Sequence, residues 1–535
     1  MVEDVQSVGV QDVKTGQRIE CDGQRGTICY VGPVDGTNGT WLGIDWDNPT
    51  RGKHNGTYNN KLYFKTRHST SGSFVRPGKI NTGISCPTAI KNRYGFIDDE
   101  LAGVDKDNIT SLRKEINAPF LEMVGFSKVN KKQSTFDRLK IVWLREQCVS
   151  SYGNDKELEE LCPNIFELDL SKNLFNSWET IANICTQLKK LERLNVSENT
   201  LGTKIDLIEM KNSFLNVKNL TISRMDYDWR DIQLVTSIFP SLKTLSVPFN
   251  KIDFLEKPIS DTSLEKIVDL TLEGNSISSW NEVLKLGHLS CLENLNVNSN
   301  KIEKIRFTTL DDKMKTDEFS GLRNLHLSNN LISDWQSISE LEKLKNLEEL
   351  RFRDNPVLTD IAFDTVRQLI IAKISELKIL NGTEIHNDER KGAEYDYLKL
   401  YANEWLNIEK NKLDNLKIEF VNEHPRYPVL VGKYGSPERT NLNTPVEMES
   451  NVITVEFVCM NEQTTQKSTK RKLMKDMDVQ KLTGLAQKLF QTGRKVPKLS
   501  FVQPNLSKEE IPLDMPLQQL CYYSIQNGDR VLVRW

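Results

Sequence analysis

Between residues 142 and 355 the apolar positions keep one frame, apolar-x-apolar-x-x-Asn. It reads Leu168-x-Leu170-x-x-Asn173, Leu194-x-Val196-x-x-Asn199, Leu245-x-Val247-x-x-Asn250 and Leu270-x-Leu272-x-x-Asn275, then Leu295-x-Val297-x-x-Asn300, Leu325-x-Leu327-x-x-Asn330 and Leu350-x-Phe352-x-x-Asn355. From Asn to Asn the steps are 26, 51, 25, 25, 30 and 25. The long step hides a copy, Leu220-x-Ile222-x-x-Met225, and Val142-x-Leu144-x-x-Gln147 fits 26 residues before Asn173. The alternation predicts a short strand in each copy, with its apolar residues turned inward. The Asn is expected to bond main-chain groups where the chain leaves the strand, which Met225 cannot do. Helix-prone connections such as Trp280 to Lys285 close each copy on the outer side. One copy has no core of its own, so stacking supplies stability and the ends need caps. Leu377 to Gly382, followed by a helix-like stretch from Glu389 to Tyr401, predicts the C-terminal cap.

The flanks have other rhythms. Over residues 7–80, short β-prone runs (Arg18 to Cys21, Gly26 to Val31, Trp41 to Trp46) are punctuated by glycines, which predicts a small, strongly bent β-barrel. Over 451–535 the order is strand, strand, helix, strand, strand, with Asp478 capping a helix that carries Leu482, Leu485, Ala486 and Leu489. Residues 81–138 read as a linker holding an extended stretch from Ala89 to Phe96. Residues 421–450 read as a second, loop-like linker, rich in Pro and Gly. The frame of the central segment, 139–405, is that of a leucine-rich repeat solenoid with its cap.

Composition narrows the function. A chain of 535 residues should hold three or four domains. Its formal net charge of -3 supplies no global field for nucleic acid or an anionic membrane. The first residues carry neither the basic nor the apolar region of a signal peptide, and no apolar run approaches the length of a membrane helix. Nine scattered cysteines suit a reducing compartment, so the chain reads as cytosolic. There is no phosphate-binding Gly-rich loop, no nucleophile elbow and no kinase signature. The six histidines form no metal-ligand spacing with the cysteines. The expectation is a protein that is no enzyme and holds no cofactor or metal.

Binding chemistry concentrates at Gly52-Lys53-His54-Asn55-Gly56, where two glycines bracket a cation, an imidazole and a carboxamide among many aromatics. Gly23-Gln24-Arg25-Gly26-Thr27-Ile28, Trp41-Leu42-Gly43-Ile44-Asp45-Trp46-Asp47, the Gly52 loop and Gly72-Ser73-Phe74-Val75-Arg76 follow in order. Together they closely resemble the CAP-Gly domain, a family that grips acidic, aromatic-ended C-termini such as that of α-tubulin. The resemblance implies that Lys53 faces carboxylates and that the loop's backbone amides receive the chain terminus. It implies that Trp41, Phe64 and Phe74 wall the groove, and that Gly43, Gly52, His54, Asn55 and Gly56 complete it. Charge-assisted bonds to a carboxylate are among the stronger polar contacts. Two positions depart from the family signature Gly-Lys-Asn-Asp-Gly: His54 stands for Asn, and Asn55 for Asp. Trp46 is expected in the core.

The C-terminal segment resembles ubiquitin, an α+β β-grasp fold, and ends at Trp535 without the paired glycines of conjugation. CAP-Gly, repeats and ubiquitin-like domain in this order resemble the tubulin-folding cofactor E family over essentially the whole chain. What that implies is a chaperone of the cytoplasm and cytoskeleton that binds α-tubulin. It would work with the other tubulin-folding cofactors (B, C and D) in assembling and dissociating the α/β heterodimer. Proteasome or ubiquitin receptors would be partners of the C-terminal domain. The competing expectations are a microtubule-associated linker and a ubiquitin-pathway adaptor.

Overall fold

In the computed structural model the described residues are 13–95, 135–203, 210–256, 263–307, 315–359, 361–411, 414–436, 452–460, 468–493, 495–504 and 507–535. The chain divides into two units, Met1–Asn275 and Ser276–Trp535.

In the first unit, β1 (Arg18–Cys21), β2 (Gln24–Pro33), β3 (Thr40–Trp46) and β6 (Gly72–Val75) form an antiparallel sheet in the order β1-β2-β3-β6. A small hairpin, β4 (Thr57–Tyr58) and β5 (Lys61–Leu62), sits between β3 and β6 in sequence. Ile19, Ile28, Leu42, Ile44 and Trp46 form the core, and Trp46 is fully buried, as expected.

The stretch after the barrel corrects the sequence reading. The expected extended run is a helix, α1 (Cys86–Tyr94), preceded by β7 (Ile84–Ser85). The Ser85 side chain caps α1 by accepting the Thr88 amide, and Cys86, Ala89 and Ile90 bury one helical face. Its mean hydropathy is low, which is why no strong signal marks it. β7 pairs in parallel with β9 (Val149–Ser151), so barrel and first repeat are joined by backbone hydrogen bonds. The Asn176 side chain adds a bond to the Gly16 carbonyl at 3.0 Å. Phe96 and the rest of the expected linker up to 134 lie outside the described residues.

Six parallel strands follow in register: β8 (Ile141–Trp143), β10 (Glu167–Asp169), β11 (Arg193–Asn195), β12 (Asn219–Thr221), β13 (Thr244–Ser246) and β14 (Asp269–Thr271). The asparagines form the expected ladder. Asn199 donates to the carbonyls of Leu170 and Val196 at 3.0 and 2.9 Å, and accepts the Asn173 amide at 3.0 Å. Asn250 likewise accepts the Met225 amide, while Met225 offers no such acceptor one repeat earlier. The residue before each ladder position turns left-handed, with φ of 53° at Lys172, 57° at Glu198, 51° at Arg224, 59° at Phe249 and 67° at Gly274. Outer helices α2 (Glu157–Leu161), α3 (Trp178–Gln187) and α4 (Trp229–Thr236) close the repeats; Ser177 caps α3, and Asp228 with Asp231 forms a capping box on α4.

The second unit repeats the scheme with α5 (Trp280–Leu284), β15 (Asn294–Asn296), β16 (Asn324–His326), α6 (Trp335–Glu340), β17 (Glu349–Arg351) and β18 (Ile379–Leu380). The cap is β19 (Thr383–Glu384) with helices α7 (Phe363–Lys373) and α8 (Asn387–Leu400). Beyond it come α9 (Ala402–Asn411) and α10 (Asp414–Glu423), and the end of α10 with α11 (Tyr427–Tyr434) replaces the loop expected from 421 onward. Pro428 does not break α11 because it stands in the first turn, where its missing N–H is not needed. Tyr427 and Leu430 are fully buried. Residues 437–450, the rest of that expected linker, lie outside the described residues.

The C-terminal fold is a five-stranded sheet in the order β21-β20-β24-β22-β23, crossed by α12 (Val479–Phe490). Its strands are β20 (Val452–Cys459), β21 (Ser468–Met474), β22 (Lys498–Gln503), β23 (Ser507–Pro512) and β24 (Arg530–Arg534). Asp478 caps α12 by accepting the Lys481 amide. β23 was not foreseen: it is an edge strand, charged and ending in Pro, a composition that lacks the alternation of an inner strand. Its core includes Tyr395 of α8, 1% exposed among Phe457, Phe501, Leu520 and Tyr523.

Candidate functional site

The Gly52 to Gly56 loop is fastened to the start of β6. The amides of Lys53 and His54 donate to the Gly72 carbonyl at 2.7 and 3.2 Å, and the Gly72 amide donates back to His54 at 2.7 Å. A Cβ on Gly52 would overlap the backbone of Ser71 and Gly72. Gly56 takes φ +93°, and a Cβ there would overlap the Phe64 carbonyl. Inside the loop the Gly56 amide donates to His54 Nδ1 at 3.0 Å, and the Thr57 amide to Asn55 Oδ1 at 3.2 Å. The Asn55 carboxamide thus keeps the turn that an acid would make, without its charge.

These bonds revise one expectation. The amides of Lys53, His54 and Gly56 are committed within the chain, so only those of Gly52 and Asn55 have no acceptor among the described residues. The Lys53 side chain is exposed and makes no ion pair among them.

Beside the loop, Phe74 is the hub of an aromatic cluster. Its ring lies 5.2 Å from His54, 5.4 Å from Phe64 and Tyr63, and 6.3 Å from Tyr30 and Tyr58. Edge-on ring pairs at these separations match the aromatic quadrupole preference. Gly43 lies under the cluster, opposite Tyr30 and Phe74 on its two neighbouring strands, and a Cβ there would overlap the Phe64 ring. The structure therefore brings together Gly43, His54, Phe64 and Phe74, with Lys53 and Asn55 exposed on the adjoining loop. Trp41 stands apart from the ring cluster: its Nε1 donates to Thr37, and the Arg76 guanidinium stacks 3.8 Å from its ring centroid.

Tyr30 was missed by sequence reasoning. A register shift between Ile28 and Tyr30 interrupts the strand alternation that would have assigned its face. The one available signal was an aromatic in a run otherwise made of small and aliphatic residues.

Charges around the site are arranged as clamps. Asp45 accepts from Ser71 Oγ at 2.6 Å and from Arg67 Nε at 2.8 Å, tying β3 to the approach to β6. Burial alone would raise the Asp47 carboxyl, but its hydrogen bonds from Arg18 and Arg67 outweigh this and hold it below the usual carboxylate range. Burial pushes the His54 imidazole below its ordinary value, with no charged group contributing. Among the described residues no group of three His, Cys, Asp or Glu could hold a metal ion, and no helix is long and apolar enough to cross a membrane.

Residues 15–80 match the family model of the CAP-Gly domain, and residues 320–365 match that of leucine rich repeats (2 copies). The tubulin-specific chaperone E of Xenopus laevis is 38% identical to this chain, covering 97% of it and 98% of its own length. The tubulin-specific chaperone E of Homo sapiens is 37% identical, with 97% and 98% covered. Among solved structures, the solution structure of the C-terminal ubiquitin-like domain of mouse tubulin-specific chaperone e is 31% identical over 17% of this chain and 92% of that chain, at a TM-score of 0.15. With its CAP-Gly barrel, leucine-rich repeats and ubiquitin-like fold in this order, and relatives matched over nearly its whole length, the chain belongs to the tubulin-specific chaperone E family.

Proposed function

We propose that this protein is a tubulin chaperone that holds α-tubulin by its C-terminal tail and takes part in assembling and dissociating the α/β heterodimer. The observation that carries the reading is the exposed Lys53, set on a loop with three committed amides beside the Phe74 ring cluster. Lys53 pairs with tail carboxylates, and the open Asn55 amide receives the terminal one. His54 and Phe74, the latter backed by buried Phe64, flank the last aromatic residue and exclude water around those charge-assisted bonds. Gly43, Gly52 and Gly56 act through the space they leave. Trp41, covered by Arg76, forms the outer end of the groove.

The repeats take the folded body of the same subunit. A modest grip on the tail then raises the local concentration for the second contact. The other tubulin-folding cofactors B, C and D are the partners in remodelling, and proteasome or ubiquitin receptors the partners of the C-terminal fold. The protein acts in the cytoplasm as a binding machine, not an enzyme.

Two measurements test this. Purified chain mixed with α/β-tubulin and followed by sizing is expected to dissociate heterodimers; intact dimers, even with cofactor B or D added, would reject the remodelling role. Lys53→Ala, and separately loss of the final Tyr from a peptide ending Glu-Glu-Tyr, should each weaken peptide binding. Unchanged affinity in both would reject the groove.

A further inference from the structure

We propose that Arg224 and Phe249, neighbours on the turn row of the first unit's repeats, form a docking anchor for an acidic segment of a protein partner. The row consists of the left-handed residues that precede each ladder position. Phe249 is there at φ 59° and is 40% exposed. A bulky aromatic in left-handed backbone is strained, and such strain persists where the surroundings hold it in place. The next repeat provides that hold: its residue on the row is Gly274, and a Cβ there would overlap the Phe249 ring. On the other side the Arg224 guanidinium lies 4.3 Å from the ring centroid, and its backbone amide donates to Pro248 at 3.3 Å.

The charges around it make Arg224 distinct. Earlier on the row, Glu146 pairs with Lys172, and Glu198 is held by Arg145 at 2.6 Å. Close by in sequence, Lys251 pairs with Asp226 at 2.7 Å and Arg230 with Glu256 at 2.6 Å. Arg224 is exposed and has no carboxylate partner among the described residues. Stacking uses the face of a guanidinium and leaves its in-plane N–H donors free, already oriented for a bidentate carboxylate. One oriented cation among balanced ion pairs suits a carboxylate side chain with an apolar neighbour. It lacks the clustered basic charge that a nucleic acid needs.

The test uses the full chain and a fluorescein-labelled oligoglutamate peptide with an amidated C-terminus, read by anisotropy. The amide removes the terminal carboxylate that the tail groove requires, so either site can fail without the other. Arg224→Glu should weaken binding about tenfold, as expected for loss of a paired, charge-assisted contact. Phe249→Gly, which relieves the left-handed strain and so keeps the fold, should weaken it about threefold. Arg230→Glu, an equal change of charge at a paired site, should leave it unaltered. Absence of peptide binding, equal losses in the two charge reversals, full binding by Phe249→Gly, or displacement of the peptide by a single-stranded oligonucleotide would each overturn the proposal.

Discussion

The amide of Gly56 donates to Nδ1 of His54 at 3.0 Å, which leaves the proton of the neutral ring on Nε2. Protonating the ring replaces this acceptor with a second donor, so the loop and the imidazolium are incompatible. Burial lowers the His54 value in the folded protein, while the unfolded chain titrates near the ordinary one, about 6.5. Between the two the unfolded state binds more protons. The stabilising contribution is therefore complete above about pH 6.5 and is lost as pH falls through the folded value. Hydrogen exchange at the Gly56 amide, corrected for its intrinsic rate, should show protection declining below that pH. His54→Asn should abolish the decline, and persistence of the same slope in that variant would exclude His54 as its source.

Gly56→Ala adds a methyl where the Phe64 carbonyl already lies and imposes a side chain on φ +93°. We expect a loss of about 1–3 kcal/mol in stability of the barrel. Binding of a Glu-Glu-Tyr-ended peptide should fall although Lys53 is intact. Thermal unfolding and peptide titration on the same variant check both.

In the second unit, Lys373 is 1% exposed, and its Nζ donates to Ser339 Oγ at 2.8 Å. Burial brings it down to about 8, from 10.5. Between those values the unfolded chain holds a proton that the folded one has released, so stability rises with pH there. Lys373→Met orphans no acceptor, because Ser339 still donates to the Glu423 carbonyl and Tyr397 still bonds His424. Stability at pH 7 is expected to stay level or rise by about 1 kcal/mol, and the alkaline gain to vanish. Denaturant midpoints from pH 7 to 10 decide this.

Burial lowers the His424 ring to about 3, and the neighbouring Lys373 ammonium adds to the effect. Its stabilising contribution is present above the ordinary histidine value and lost as pH falls toward 3. Acid should thus loosen α8, α10 and α11 well before neutral carboxylates account for unfolding. Denaturant midpoints read from the Tyr397 near-ultraviolet dichroism between pH 7 and 4 report it; a midpoint that stays level below about pH 6.5 would contradict the assignment.

Asn199→Ala leaves the Asn173 amide without its acceptor and the Val196 carbonyl without its donor, both inside the solenoid. A cost of about 2–4 kcal/mol is expected from two orphaned groups. A loss under about 0.5 kcal/mol by chemical denaturation, within the range of an ordinary surface change, would show that water replaces the ladder.

Periodic and punctuated features were legible from the chain alone. The Leu-x-Leu-x-x-Asn frame determines the repeats, and with them the strand register and ladder, because each copy states the same local rule. Glycine spacing and ordered motifs likewise determined the barrel and the loop, and Asp478 with Leu482 and Ala486 marked α12. Features that depend on what meets what were decided by tertiary structure. The shift after Ile28 brings Tyr30 to Phe74, while Arg76 stacks on Trp41 away from that hub. Loop amides that sequence could only count are spent on Gly72 and His54. α1 and α11 form because Cys86, Ala89, Ile90, Tyr427 and Leu430 find neighbours to bury them, overriding weak local preference. Tyr395 completes a core whose other members lie more than fifty residues further on. Local rules fix elements, but burial of a given side chain requires a partner surface, and only the folded chain supplies one.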